Sequence, residues 1–358
     1  MARLPRAEVF DPQDVAIVHV INRVVRRCFL LGDDPLSGKN YDHRKVWIEQ
    51  RLKLLASAMG IDLLVHSILS NHFHLVLRSR PDVVETWDDT EVARRWLSLT
   101  SHSAADEEEV EPTEWQLNSI RHDSDRVKEI RTRLSDISWW MRLLCQNIAQ
   151  RANREDEETG KFWQSRFRAV RIVDETALLA CAAYVDLNPI RAAMTETLEG
   201  SDHTSVQHRI EAIKTRQKTA QGKAARNSPT SRRPDDFLSP LSLDERFAPG
   251  PQPSQLSSRC SDKGFLPLSE VEYIELLDWT ARHLAPGKRG HTPADVPPVL
   301  QRLNLSGEFW CALTKNFGRL FHVIAGSPDV VATKRTLKSK RRYRLTPAAR
   351  EIYTSTSG

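Results

Sequence analysis

Apolar and polar positions along residues 14–205 follow two different periods, and together these periods predict an α+β domain. The β-branched segment 16–25 predicts a strand, and apolar residues at helical spacing over 43–60 predict a helix. Two further apolar runs are hinged at Ser70 and Asn71, which is typical of a short hairpin. The order strand, helix, strand, strand predicts an antiparallel sheet with helices packed on it, and the hairpin supplies an inner strand.

The second half of this domain follows an apparent insertion over 81–130, which combines a short helical piece with an acidic run. Apolar residues at helical spacing then predict an amphipathic helix that Ser135 or Asp136 caps. A fourth strand is predicted over 169–173, followed by a helix that Pro189 bends or ends. The pattern of helix and strand therefore resumes after the insertion.

The composition of the chain changes beyond about residue 205. Residues 206–260 are rich in basic residues, Ser and Pro, which is typical of a solvated linker. A second apolar region over 261–350 predicts a mostly helical accessory domain with a basic tail. That tail, 334–344, has seven basic residues and no acid, and we expect it to make non-specific contacts with phosphate groups.

The composition of the chain excludes a few classes of protein and leaves many others open. The chain has 358 residues, and its 52 Lys and Arg exceed its 47 Asp and Glu, which gives a net charge of +5. This surplus is compatible with a polyanionic partner. No run approaches the roughly 18 apolar residues of a membrane span, and the five cysteines include no C-x-x-C pair, which argues against a disulfide framework or a thiolate zinc site. We therefore expect a cytoplasmic protein with no membrane partner.

Two histidines, His72 and His74, stand two positions apart in the most strand-like stretch of the chain, NHFHLVL. Side chains at this spacing project from the same face of a strand, about 7 Å apart along it. Two neutral imidazoles on one face suit a divalent metal, provided that a third ligand comes from another element. The alternative is a pair of polar residues on a solvated face of the hairpin.

Tyr184 and Asn188 lie in the segment AAYVDLNPIRA, one helical turn apart. If this helix packs across the sheet face that carries the histidines, the amide oxygen of Asn188 completes a His, His, Asn site and the hydroxyl of Tyr184 lies beside the metal. The alternative is an ordinary core tyrosine and a C-cap asparagine before proline. Spacing alone favours that alternative.

Three motifs, taken in order, resemble those of the HUH single-tyrosine transposases, and the likeness is closest to the branch called REP-associated tyrosine transposases. The motifs are NHFHLVL, GKFWQSRF and YVDLNPIRA. The resemblance covers about residues 14–205 and implies the HUH fold, a ferredoxin-like antiparallel sheet with packed helices. The chain departs from the simplest members of the family in its insertion over 81–130 and in its C-terminal region, where the resemblance implies nothing.

The resemblance implies a site and an activity. His72, His74 and Asn188 would bind Mg²⁺ or Mn²⁺, and Tyr184 would attack DNA to leave a 5′-phosphotyrosine link and a free 3′-OH. The implied function is a DNA transposase that cleaves and rejoins single-stranded, hairpin-associated DNA in the nucleoid, with a homodimer left open. Two other functions also stay open, a metal-dependent hydrolase that uses water and a non-catalytic DNA-binding protein.

Basic residues with interleaved aromatic residues flank the predicted site, a composition that suits single-stranded DNA. The residues are Lys161, Trp163, Arg166, Arg168, Arg171 and Arg191. The alternative for an aromatic residue such as Trp163 is a place in the core. The cluster as a whole is therefore a stronger indication than any one member.

Overall fold

The structure, a computed structural model, describes residues 9–25, 28–35, 37–100, 111–220, 233–243, 250–284, 297–337 and 343–354. Its strands are β1 (Ile17–Arg23), β2 (Ile61–Ile68), β3 (His72–Ser79), β4 (Arg168–Ile172) and β5 (Ile324–Ala325). They form one sheet in the order β2-β3-β1-β4-β5, in which β5 alone pairs parallel with its neighbour. The predicted α+β fold is confirmed, with a fifth strand that the sequence pattern did not predict.

The predicted hairpin is the centre of this sheet. β2 ends at Ile68 and β3 begins at His72, so that the turn includes the predicted hinge at Ser70 and Asn71. β3 is hydrogen-bonded to β2 on one side and to β1 on the other. The two histidines of β3 therefore lie on an inner strand, as predicted.

One face of the sheet is covered by the helices that lie between His43 and Glu155 in the chain. These are α1 (His43–Ala58), α2 (Pro81–Val84), α3 (Asp89–Thr100), α4 (Glu114–Arg121), α5 (Ser124–Ser135) and α6 (Ile137–Glu155). One apolar cluster joins them to the sheet, and it includes Val20 of β1, Leu52 of α1 and Trp140 of α6. Asp136 caps α6 as predicted, because its side chain accepts a hydrogen bond from the N–H of Ser138. The acidic run of the insertion lies largely outside the described residues.

The other face is covered by the helices that follow β4 in the chain. These are α7 (Glu175–Asp186), α8 (Asn188–Arg191), α9 (Ser205–Ala220), α10 (Glu270–Leu284), α11 (Pro298–Arg302), α12 (Gly307–Leu320), α13 (Pro328–Leu337) and α14 (Pro347–Thr354). A second apolar cluster includes Val76 of β3, Leu179 of α7 and Phe317 of α12. The helix that carries Tyr184 is thus enclosed between the sheet and the C-terminal helices.

The C-terminal region contributes side chains to this second core. The sequence pattern had predicted a separate accessory domain behind a linker. β5 extends the sheet beside β4, and α12 packs directly on α7. Within the predicted linker 206–260, residues of α9 continue the core, and the buried guanidinium of Arg209 donates to the carbonyl oxygens of Leu64 and Ser239. The physical reason is that α7 is apolar on nearly every side, so that burying it requires a second layer. Residues 338–342 of the predicted basic tail lie outside the described residues.

Candidate active site

A cavity of about 340 Å³ lies between the sheet and α12, and its lining includes His72, His74 and Tyr184. The same lining holds five basic residues, namely Arg23, Arg168, Arg191, Lys315 and Arg319. Among the described residues, no Asp or Glu lines it. The cavity therefore combines a phenol and two imidazoles with a strongly positive wall.

The strand register explains why these side chains meet. In β1, Ile21 is paired with His74 and Arg23 with His72. Because side chains alternate along a strand, His19 projects from the same face as this pair, and so does Arg168, which is opposite Ile21 on β4. The face that carries the two histidines is therefore also the face that collects the positive charge.

Both histidines have their Nδ1 atom in a hydrogen bond. The Nδ1 of His72 is 2.6 Å from Oδ1 of Asn71, and the Nδ1 of His74 is 2.9 Å from Nε2 of His19. A proton on each Nδ1 satisfies both contacts and leaves the Nε2 lone pair of each ring able to bind a cation. Hydrogen bonds of this kind orient the histidine ligands of metal sites.

Burial keeps these imidazoles neutral at pH 7. It lowers the pKa of His72 to about 4, with Arg23 adding to the effect, and the pKa of His19 to about 3, with Arg168 adding to it. Burial likewise holds the pKa of His74 well below its usual range. Because only a neutral imidazole binds a metal, His72 and His74 fit a divalent cation.

Tyr184 lies near the end of α7 with its ring half-buried. The ring stands edge-on to His74, with 5.6 Å between the ring centroids, and the guanidinium of Arg191 lies 4.5 Å from its centroid. On α12, Gly318 makes room for this tyrosine, since a Cβ atom on Gly318 would lie 2.7 Å from the hydroxyl. The structure thus brings Tyr184 and the two histidines of one chain into one cavity.

The position of Asn188, the third predicted ligand, is less clearly tied to the cavity. The residue is buried, its Nδ2 atom has no hydrogen-bond partner, and it is absent from the cavity lining. α7 ends at Asp186 and α8 begins at Asn188, with only Leu187 between them, and the N–H of Leu187 still donates to the carbonyl oxygen of Ala183. Pro189 ends α7 as predicted, because a proline is tolerated in the first turn of a new helix but not within the old one.

Two of the predicted DNA-binding residues, Arg168 and Arg191, line the cavity. Arg168 donates to the carbonyl oxygens of Gly318 and Phe321, and Arg191 donates to that of Lys315. Both arginines therefore attach α12 to the site. The Nη1 atom of Arg191 is buried without a hydrogen-bond partner, which leaves it as a donor for an anion.

The other four predicted DNA-binding residues lie elsewhere. Lys161 and Arg166 are exposed outside the cavity lining, and Arg171 projects from the opposite face of the sheet to Arg168. The ring of Trp163 packs edge-on against those of Phe73 and Phe162, and its Nε1–H donates to the carbonyl oxygen of Cys145. Trp163 therefore matches the alternative of a core residue.

Sequence reasoning missed four residues of this region, namely His19, Arg23, Lys315 and Arg319. A signal existed for His19, since it is a polar residue within the β-branched run AIVHVINRVV and is buried like its apolar neighbours. Lys315 and Arg319 are exposed and one turn apart on α12. Nothing in the local pattern of α12 indicates that it packs beside Tyr184.

Among the described residues, one group of three or more His, Cys, Asp and Glu side chains gathers closely enough to hold a metal ion. That group is Glu49, His66 and His208, and none of the three lines the cavity. The described residues also include no helix long and apolar enough to cross a membrane.

No protein-family model and no curated protein matches the chain. Among solved structures, the chain is similar to a REP-associated tyrosine transposase bound to a REP hairpin, with a TM-score of 0.31 and 11% sequence identity over 64% of this chain and 96% of that one. At this TM-score and identity the likeness shows neither the family nor the activity of this chain.

Proposed function

We propose that the chain is a DNA transposase of the single-tyrosine type, in which Tyr184 cleaves and rejoins single-stranded DNA. The observation that carries the proposal is the composition of the cavity, where a tyrosine and two neutral histidines share a wall with five basic residues and no acid among the described residues. Such a wall suits a phosphodiester, whose negative charge otherwise repels a nucleophile. The three motifs of the sequence support the same class of enzyme.

In the proposed reaction, the phenol oxygen of Tyr184 forms a bond to phosphorus while the bond from phosphorus to the 3′ oxygen breaks. The proton that the phenol gives up is balanced by the proton that the departing oxygen takes to become a 3′-OH. The 5′-phosphotyrosine link retains a phosphodiester, and the 3′-OH of another strand can therefore reverse the step and join DNA without ATP.

The residues of the cavity have distinct tasks in this proposal. Arg191, which lies over the ring of Tyr184, and Arg168 bind the phosphate and offset its charge. His72 and His74 would hold a divalent cation, Mg²⁺ or Mn²⁺, which supplies further positive charge at the phosphate when it is bound. Asn188 is the third ligand implied by the family resemblance, but the proposal does not depend on it.

The test is covalent capture of DNA. The full chain is incubated with Mg²⁺ or Mn²⁺ and 3′-labelled single-stranded hairpin oligonucleotides taken from the DNA that flanks its gene. A 5′-phosphotyrosine link keeps the 3′ label on the protein through a denaturing gel. We expect Tyr184→Phe to lose both the adduct and strand cleavage, whereas Tyr41→Phe, a substitution of the same size away from the cavity, keeps both.

Three outcomes would contradict the proposal in different ways. An adduct whose peptide mass maps to another tyrosine would assign the nucleophile elsewhere. Continued cleavage by Tyr184→Phe would favour a hydrolase that uses water. Binding of the hairpins by the wild type without any cleavage would favour a non-catalytic DNA-binding protein.

A further inference from the structure

A second cluster of titratable side chains lies at the β2 edge of the sheet, around His66. Its members are Glu49 of α1, His66 of β2, His208 of α9 and His203, which precedes α9. His66 is followed on β2 by Ser67, which pairs with His74, so that His66 and His74 project from opposite faces. The cluster is therefore separate from the proposed active site.

The carboxylate of Glu49 is the centre of this cluster. Its Oε1 is 3.0 Å from Nε2 of His208 and 3.7 Å from Nε2 of His66, and its Oε2 is 3.1 Å from Nδ1 of His203. The ligand atoms of Glu49, His66 and His208 all lie within 4.8 Å of one another. The three ligand atoms are therefore close enough together to reach one ion.

Hydrogen bonding alone accounts for only part of the cluster. His203 and His208 can each donate to Glu49, but the 3.7 Å between His66 and Glu49 is too long for a hydrogen bond. His66 is completely buried, and neither of its ring nitrogens has a hydrogen-bond partner. A buried polar group without a partner is unfavourable, and a cation between the three side chains would provide that partner.

The donor set and its spacing favour Zn²⁺. Zinc binds imidazole nitrogen and carboxylate oxygen at about 2.0–2.2 Å in tetrahedral geometry, which places neighbouring ligand atoms about 3.3 Å apart. The separations of 3.0 and 3.7 Å from Oε1 of Glu49 bracket this value. The bond from His203 to the second carboxylate oxygen would hold Glu49 in orientation, as outer partners of metal ligands do.

We propose that Glu49, His66 and His208 bind Zn²⁺ at a second metal site, which braces the junction of α1, β2 and α9. Residues beside the cluster already attach the start of α9 to the edge of the sheet. The N–H of Ile68 donates to the carbonyl oxygen of His203, and the N–H of His66 donates to Oγ of Ser205. Ser205 in turn donates to Asp186 at the end of α7, so that the bound ion would stabilise the support of the helix that carries Tyr184.

The test measures zinc binding by the full chain after removal of metal with a chelator. The background is the double variant His72→Ala, His74→Ala, which removes the histidines of the cavity and leaves the second site intact. We expect this variant to bind about one equivalent of Zn²⁺ and to unfold at a higher temperature when Zn²⁺ is present. Adding His208→Ala should abolish both effects, whereas adding His122→Ala, which removes an exposed histidine at the end of α4, should abolish neither.

Zn²⁺ binding by the double variant tests the second metal site even if further substitutions prevent folding. If it binds no Zn²⁺, the second site does not exist. If Zn²⁺ binding survives unchanged after His208→Ala, the ion lies elsewhere, and the proposal is equally wrong. Neither result depends on DNA cleavage, so the test is independent of the proposed transposase activity.

Discussion

The hydroxyl of Tyr184 is held against Gly318, where a Cβ atom would lie 2.7 Å from the phenol oxygen and 3.2 Å from the ring carbon that bears it. Gly318 lies within α12, and glycine is a poor helix former, so that helix propensity alone does not explain its presence. The contact instead indicates that α12 makes room for the side chain of Tyr184.

The first prediction is that Gly318→Ala impairs strand cleavage. The added methyl group displaces the Tyr184 hydroxyl, and a misplacement of about 1 Å can reduce the rate about 100-fold. Cleavage rates on the hairpin oligonucleotides, with far-UV circular dichroism to confirm folding, measure this effect.

A double-mutant cycle separates this clash from other effects of the alanine. Gly318→Ala should cost less free energy of unfolding in the Tyr184→Phe background than in the wild type, because the phenylalanine lacks the oxygen that the methyl group meets. Equal costs in both backgrounds would show that the hydroxyl does not contact Gly318.

A second prediction concerns His19, whose Nε2 is 2.9 Å from Nδ1 of His74. His19→Phe removes this hydrogen bond and keeps an aromatic ring of similar size. We expect the Mn²⁺ concentration for half-maximal cleavage to rise about 10- to 100-fold, because outer partners of ligating histidines typically contribute that much to metal affinity. An unchanged Mn²⁺ requirement in a folded variant would limit His19 to a packing role.

Much of the fold follows from local sequence. β1, the hairpin of β2 and β3, α1 and α6 were predicted near their observed positions, because their apolar periods are long and regular. His72 and His74 share a face because the alternation of a strand requires it. Their approach to Tyr184 was predicted only on the condition that α7 packs across that face.

The rest of the site depends on packing between distant segments. Lys315, Gly318 and Arg319 reach the cavity because α12 packs on α7, and no periodicity within α12 indicates which helix it meets. Asn188 stays a predicted ligand, because its spacing from Tyr184 does not show whether its side chain turns toward the histidines. The sequence around Trp163 does not show whether its ring stacks on DNA bases or packs in the core of the domain.

A third prediction tests the positive wall of the cavity. Lys315 is exposed on α12 beside Arg191 and lines the cavity, so Lys315→Ala should weaken binding of single-stranded DNA at low salt. The slope of log affinity against log salt concentration should fall by about 0.7 for the loss of one phosphate contact. Lys128→Ala, which removes an exposed lysine of the insertion, is the matched control and should leave the slope unchanged. If both variants show the same slope as the wild type, Lys315 does not contact phosphate.

The last prediction concerns Asp186, which is completely buried two residues after Tyr184. Its carboxyl group accepts hydrogen bonds from the hydroxyls of Ser205 and Tyr273 and from the N–H of Val206, and it thereby joins α7 to α9 and α10. Burial, only partly offset by these bonds, raises the pKa of Asp186 to about 6.

The sign of the resulting pH dependence follows from proton linkage. The folded chain binds this proton more tightly than the unfolded chain, where the pKa of an aspartate is about 3.9. The contribution of Asp186 to the free energy of unfolding is therefore fully present below about pH 4. It falls by an amount on the order of 3 kcal/mol as the pH rises through about 6. Asp186→Asn carries no such proton and should lack this dependence. Urea unfolding of both proteins from pH 4 to 7, with a chelator present, should show the free energy of unfolding of the wild type falling relative to that of the variant across this window. A difference between the two proteins that stays constant with pH would mean that Asp186 ionises as an ordinary carboxylate.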